Sequence, residues 1–528
     1  MLFLYKRQLD KVIADRWNTV DPVYKKAFFF IFGINILAFG FEMTNLTLHH
    51  DDVSYIFIQS DILGHYLGRF GLGWLYYYTQ NAYYMPFLQM LQGVVIMTAY
   101  GMMISRFWGL RSTLDIVLVS SILCVFPYMA QLYTYNIIMV ALPVAHFLAA
   151  AAVVLSVRAT VVSVAVASLL YVGAFSIYQS VVANAATVFI VWATSILLFG
   201  EDTAGQFLRK MARPTVAVFA SVVTGGLLYM AIVASMNIDF DSYQDAGEAF
   251  SLKDGLNLSY AAKEMLNGTR AFLAWPENYF PLYLKRLQLA LIVIAGLFCL
   301  WFPKGPVKKL SAVAMLVLVL VTPRILQIVH PQGNFHEGTL TAYAIVVAGC
   351  VMILLRARTI LVKNISAILA ICILAGYLVQ CNWISTVNYL NTLAHYTTFT
   401  QILARIKSLP REYWDGENVA VVGKYRMYSG HPYKIATGVA TTYIDTLHAQ
   451  RLARVMRENV SILEADEITS EIQDYAKKRL PWPHPDGVSV FGNVAVVVLS
   501  NEDLEQTSPG TDGDTSKAEL GYNRQGTE

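Results

Sequence analysis

The 528-residue chain is 56% hydrophobic and only 14% charged, with a mean hydropathy of +0.48. A soluble domain carries about 25% charged residues, so this composition excludes an ordinary soluble protein and predicts an integral membrane protein. The formal net charge of +3 is too small to point to nucleic acid, and no nucleic-acid partner is expected.

A bilayer core of roughly 30 Å takes about twenty apolar residues per helix. Apolar runs of that kind fall near 27–46, 84–105, 113–132, 137–156, 159–178, 180–199, 214–235, 286–303, 310–329, 339–355 and 364–382. The fold class expected is a polytopic α-helical membrane protein of about eleven transmembrane helices over residues 1–382. No cleavable leader is expected. Charged residues fill the first stretch, and the first apolar run is long and lacks a small-x-small site.

Lys and Arg resist translocation and set orientation. About eighteen of them fall in one set of connections, including Arg106, Arg111, Arg158, Arg209, Lys304, Lys308, Arg356 and Arg358. About seven fall in the opposite set: Arg69, Lys253, Lys263, Arg270, Lys285, Arg286 and Arg324. The N-terminus is therefore expected in the cytoplasm. The external loops are then 47–83, 236–285 and 330–338, and everything after 382 lies on the far side. Within the first loop, "VSYIFIQSDILGHYLGRFGLGWLYYYTQ" reads as one or two helices along the interface, with Tyr and Trp at headgroup depth. The second loop has a helical middle at "YAAKEMLNG".

From about residue 400 the pattern becomes that of a soluble α/β domain, assigned to 383–501. "NVAVVGKY" reads as a buried strand, "TYIDTLHAQRLARVMREN" and "ITSEIQDYAKKRL" as helices, and "GVSVFGNVAVVVLS" as one or two strands. Residues 502–528 are expected to be a disordered tail. The five cysteines, Cys124, Cys299, Cys350, Cys372 and Cys381, lie in or at the end of apolar runs without CxxC spacing. They are expected to be buried hydrophobes rather than disulfide or zinc ligands.

The chemistry-bearing residues gather in the external loops. In "TLHHDDVSYIF", Asp51 and Asp52 are candidate general bases. One of them can instead cap the helix starting at Val53, but a pair exceeds what a cap needs. His49 and His50 diverge as neighbours and make a poor metal pair. In "GHYLGRFGLGW", Arg69 is a candidate phosphate clamp, against the plainer reading of an interfacial Arg whose stem snorkels. His65 precedes it. Arg324 in "VTPRILQIVH" carries charge near the outer end of an apolar run, as a ligand group or as one half of an ion pair. Glu42, at the outer end of the first run, is the proposed structural partner. His50, His65, His330, His336, Glu337 and Trp275 are possible substrate contacts. Asp115, His146 and Asn184 read as packing residues. No Walker A, GxSxG or HExxH sequence occurs.

The order "HHDDVSYIF…GRFGLGW", the later "TPRILQI" and the closing "LPWPHPDGVSVFGNVAVVVL" resemble the serotype-converting O-antigen glucosyltransferases (type-two glucosyl transferases), membrane glycosyltransferases of the GT-C class. The resemblance covers roughly residues 25–500, and Phe70 stands where that family suggests Trp. It implies transfer of a glucosyl group from undecaprenyl-phosphate-glucose to an O-antigen or related lipid-linked glycan. It further implies that transfer takes place on the periplasmic face of a bacterial inner membrane, with inversion. On that reading Asp51 or Asp52 would act as base, and Arg69 or Arg324 would stabilise the departing phosphate. Neither cofactor nor metal is implied. Partners are the lipid-linked donor, the glycan acceptor and membrane lipid, with a donor synthase and a flippase functionally linked. The rival readings are an O-antigen polymerase or ligase, which calls for more Arg in 236–285, and a lipid-linked sugar transporter, which calls for charge pairs at mid-membrane depth.

Overall fold

The computed structural model describes residues 19–45, 47, 68–80, 85–236, 258–274, 279–328, 337–410, 412–414, 416–426 and 443–500. The chain divides into two compact units between Tyr389 and Leu390.

The first unit is helical. In chain order it holds α1 (Pro22–Thr44), α2 (Phe70–Gln80), α3 (Pro86–Phe107), α4 (Thr113–Cys124), α5 (Pro127–Tyr133), α6 (Ala141–Ser156), α7 (Val161–Phe175) and α8 (Val181–Phe199). It continues with α9 (Ala204–Ser235), α10 (Leu258–Ala274), α11 (Leu282–Trp301), α12 (Pro306–Val321), α13 (Ala342–Leu355) and α14 (Ile360–Lys407). Every predicted apolar run contains a helix. By length and composition, however, eight of the described helices qualify as membrane-crossing, or nine if the bent pair α4–α5 counts as one. The helices α7 and α13 are apolar but shorter.

There are three local departures, and two of them have a physical cause in the sequence. The run 113–132, read as one span, is bent by 51° between α4 and α5. Pro127 opens α5 and Phe126 before it is extended, as a residue preceding proline prefers. The helix α9 begins ten residues before the expected span, at 204 rather than 214, because Thr203 and Gln206 form a capping box ahead of the basic turn. The helix α14 runs through the expected boundary at 382 and belongs to the second unit from Leu390.

Burial in α1 follows helical spacing. Ala27, Ile31, Asn35, Ala38 and Glu42 face the bundle, while Phe29, Phe30 and Leu37 are exposed. The small and polar residues are inside and the bulky apolar ones outside, the arrangement a helix adopts when its outer surface meets lipid. Every residue of α13 is buried. At 1.5 Å per residue this helix is about 20 Å long, and it forms the centre about which its neighbours pack. Four cysteines are buried, but Cys372 is exposed on the outer face of α14, where an apolar run has a lipid side as well as a packed one.

The second unit contains a four-stranded sheet of order β4-β1-β6-β5, built from β1 (Asn418–Val422), β4 (Ser461–Ile462), β5 (Val488–Phe491) and β6 (Val494–Val498). β1 is parallel to β4 and β6, and β5 pairs antiparallel with β6. β2 (Tyr425–Arg426) and β3 (Tyr443–Ile444) form a separate short ladder. β1 and β6 are buried along almost their whole length, because helices cover both faces. Val419 and Val421 pack with Phe399, Leu403 and Leu452 on one side. Ala420 and Val422 pack with Ile472 and Ala476 on the other. The helices involved are the end of α14, α15 (Thr446–Val455) and α16 (Ser470–Lys477).

Candidate active site

Of the predicted site residues, Asp51, Asp52, His50, His65, Trp275, His330 and His336 lie outside the described residues. Glu337 begins a short 3-10 turn, Glu337–Leu340, but its side chain is also outside them. Arg69, Arg324 and Glu42 are described, and each is held by a built environment.

Both flanks of the segment carrying Asp51 and Asp52 are fastened to the bundle. On one side, Thr47 is buried. Its carbonyl accepts from Asn136 Nδ2 at 2.9 Å, and its hydroxyl donates to Glu42 Oε1. On the other side, Gly71 N donates to the Ser176 carbonyl at 2.9 Å and Leu72 N to the same oxygen at 3.3 Å. A Cβ at Gly71 would overlap Ser176, so this close backbone approach requires glycine.

Arg69 sits at that second anchor. Its guanidinium lies 5.1 Å from the Tyr178 ring centroid, and Nε donates to Gln179 Oε1 at 3.4 Å. Gln179 Nε2 donates to the Tyr229 hydroxyl at 2.8 Å, and that hydroxyl donates to the Gly68 carbonyl at 3.1 Å. Phe70 stacks on Tyr229, which shows how a phenyl ring is accommodated at the position where Trp was expected. The side chain that carries the charge is thus positioned by neutral groups.

Arg324 is positioned in a similar way. It follows Pro323 in the 3-10 segment Thr322–Ile328, where its own φ of −102° and ψ of 18° leave the helical region. Nε donates to the Tyr343 hydroxyl at 3.3 Å, and Tyr343 donates to Thr269 Oγ1 at 3.3 Å. A Cβ at Gly268 would overlap the guanidinium. Glycine inside α10 therefore serves to let Arg324 lie across that helix. Among the described residues no carboxylate pairs with Arg69 or Arg324. The expected Glu42–Arg324 ion pair is not among the described contacts either. Glu42 is 1% exposed and takes the hydroxyl of Thr47, five residues along its own chain.

The two arginines occupy the same end of the bundle. Tyr178 and Gln179 lead directly into α8. Asn184, in the first turn of α8, donates to Thr341 Oγ1 at 3.1 Å, and His146 Nε2 is 3.1 Å from the same hydroxyl. Thr341 precedes α13, and Tyr343 lies within its first turn. His146 and Asn184 therefore brace the site's framework, as packing residues were expected to do.

Sequence reasoning missed Lys285, which it counted only as a topological charge. Lys285 is 2% exposed and donates to the Phe272 carbonyl. Its ammonium lies 3.9 Å from the Phe272 ring centroid and 4.7 Å from that of Phe280. Phe272 stacks on Tyr343 at 3.7 Å with 8° between planes. A chain of contacts therefore runs Lys285–Phe272–Tyr343–Arg324. The signal was present in "AWPENYFPLYLKR", where a lysine stands among aromatics at the head of an apolar run. Chemically, a guanidinium with one N–H occupied and no counter-carboxylate can accept an oxyanion bidentately.

Comparison with known proteins follows the same residues. The family model described as Glucosyl transferase GtrII matches residues 40–354, more than half of the chain. The match takes in Glu42, Arg69, Lys285 and Arg324, and leaves the sheet-containing second unit outside. Neither the curated proteins nor the solved structures provide a match. By that coverage, this predominantly helical chain belongs to the GtrII glucosyl transferase family and is a glycosyltransferase.

Proposed function

We propose that the chain transfers a glucosyl group from undecaprenyl-phosphate-glucose to an O-antigen or a related lipid-linked glycan, on the periplasmic face and with inversion. The observation that carries this reading is the presence of two arginines without carboxylate partners among the described residues, at the same bundle end as both anchors of the Asp51–Asp52 segment. In the proposed reaction an acceptor hydroxyl attacks C1 of the sugar. The bond between C1 and the phosphate oxygen breaks, and the electron pair leaves on the lipid phosphate. Arg324 or Arg69 stabilises the charge that develops there. Asp51 or Asp52 takes the hydroxyl proton. One displacement inverts the anomeric centre. The leaving group is already a stable phosphate, so metal-free transfer belongs to the same proposal.

On this reading the chain crosses eleven times, with α4–α5 as one broken span and α7 and α13 as short ones. The Lys and Arg bias supports a cytoplasmic N-terminus and hence a periplasmic C-terminal unit. The inner membrane, the donor synthase and the flippase belong to the same proposal through the family resemblance, as the routes by which a lipid-linked sugar reaches the site.

The test compares intact envelope glycans by mass, from cells with and without this chain. A difference of one hexose per acceptor unit supports the proposal. An unchanged unit mass with altered chain length favours a polymerase and overturns it.

A further inference from the structure

At the opposite end of the bundle from Arg324, a cleft of about 1070 Å³ opens where α8 ends, α9 begins, α11 ends, α12 begins and α13 ends. Three interhelical connections converge on it, and each carries charge. Lys304, Lys308, Arg356 and Arg358 line it, against the carboxylates of Glu201 and Asp202. Two of the cations hold the walls together: Lys308 Nζ donates to the Gly200 carbonyl at 2.7 Å, and Arg356 Nη1 donates to the Trp108 carbonyl at 3.0 Å. The Arg356 guanidinium also lies 4.6 Å from the Phe199 ring centroid. Asp202 is engaged by Lys210 at 3.0 Å, a residue outside the cleft. Lys304 and Arg358 have no carboxylate partner among the described residues, and both are exposed.

We propose that this cleft is a binding site for the phosphate of an anionic phospholipid. The charge balance favours an anion, because four cations face two carboxylates and one of those is already paired. The apolar part of the lining, Phe199, Phe302 and Val307 among them, suits a ligand with a hydrocarbon portion. The surroundings favour lipid over a free ion. Trp301, Val307, Leu310, Ile360 and Leu361 at the same end are large, apolar and exposed, the surface along which acyl chains would run. Basic pockets between transmembrane helices are a recurrent way of holding lipid phosphate. The site is separate from the arginines at the other end and does not depend on the glucosyl-transfer proposal.

The full-length protein in nanodiscs containing phosphatidylglycerol and phosphatidylcholine is the test system, with retained lipid measured by native mass spectrometry. The wild type retains phosphatidylglycerol selectively. The double variant K304Q/R358Q, which leaves the wall-forming Lys308 and Arg356 intact, loses that retention by roughly thirty-fold, or about fivefold for each cation removed. The control variant R158Q/R209Q removes two exposed charges from the same end outside the cleft and retains lipid as the wild type does. Equal loss in both variants reduces the effect to diffuse surface charge and overturns the site. Absence of a preference for phosphatidylglycerol also overturns it, as does saturable binding of inorganic phosphate alone.

Discussion

Arg324 Nε donates to the Tyr343 hydroxyl at 3.3 Å, while the guanidinium lies over Gly268, where a Cβ would collide with it. The arginine is thus oriented from two sides by groups that do not neutralise it. An arginine held by a hydroxyl and a glycine keeps its charge available for a ligand, whereas one held by a carboxylate does not. Replacing Arg324 by Ala is expected to lower transfer by roughly a hundredfold or more, the scale for loss of one preorganised charge-stabilising donor. R324K is expected to recover little, since an ammonium lacks the planar fork. G268A, with Arg324 untouched, is expected to reduce transfer as well by displacing the guanidinium. Glycan transfer assays normalised to membrane-inserted protein check all three, and full activity in G268A would contradict the positioning.

Asp51 and Asp52 are expected to behave asymmetrically. A general base contributes on the order of 10²- to 10⁴-fold, so either D51N or D52N should reduce transfer by that factor with insertion unchanged. A neighbouring pair can share protons, so the milder of the two variants is still expected to shift the pH profile. Full activity in both variants removes the first loop from the mechanism.

Lys285 links the aromatic stack to the framework. K285M keeps similar bulk but leaves the Phe272 carbonyl without that donor. An unsatisfied buried acceptor costs about 1–3 kcal/mol, so thermal unfolding in detergent is expected to shift downward. Because Phe272 stacks on Tyr343, transfer is expected to fall too. A variant with unchanged melting and unchanged activity would show that the ammonium is dispensable.

In the second unit, Asp445 caps α15. It accepts from His448 N at 2.9 Å and lies 2.6 Å from His448 Nδ1. Burial pushes its carboxyl up, but the hydrogen bonds and charge of His448, with Lys424 beyond, outweigh burial and hold it below the usual carboxylate range. A carboxylate lowered by folding stabilises fully above its unfolded value near 4. That contribution is lost as pH falls through the folded value. Protease resistance of this unit in the full-length protein should therefore be greater in the wild type than in D445N near pH 7. The two should converge in acid, once the pH has fallen through the folded value. A difference that persists in acid would contradict the assignment.

The helices were readable because hydrocarbon forces backbone groups to pair within a segment, and each apolar run accordingly became a helix. Pro127 carried the signal for the bend between α4 and α5, although the run 113–132 reads as one span. What the runs could not reveal was which face turns inward. Lipid is as apolar as leucine, so pattern alone did not show that α13 is enclosed on all sides, or that Cys372 points outward. The site was half legible. Arg69 and Arg324 were visible as isolated charges in apolar surroundings, but their partners Gln179 and Tyr343 are distant in sequence and neutral. The expected link from Glu42 to Arg324 is not among the described contacts; Glu42 accepts instead from a local hydroxyl, Thr47, which sequence reasoning passed over in favour of a distant charge.

Sidedness is the claim on which the proposed chemistry depends, and cysteine labelling measures it directly. In a background with Cys124, Cys299, Cys350, Cys372 and Cys381 replaced, T44C and S112C mark opposite ends of the bundle. Intact cells treated with a membrane-impermeant maleimide are expected to label T44C at once and S112C only after permeabilisation. Labelling of S112C in intact cells, with T44C protected, would place the arginines and both anchors of the first loop in the cytoplasm and contradict the account.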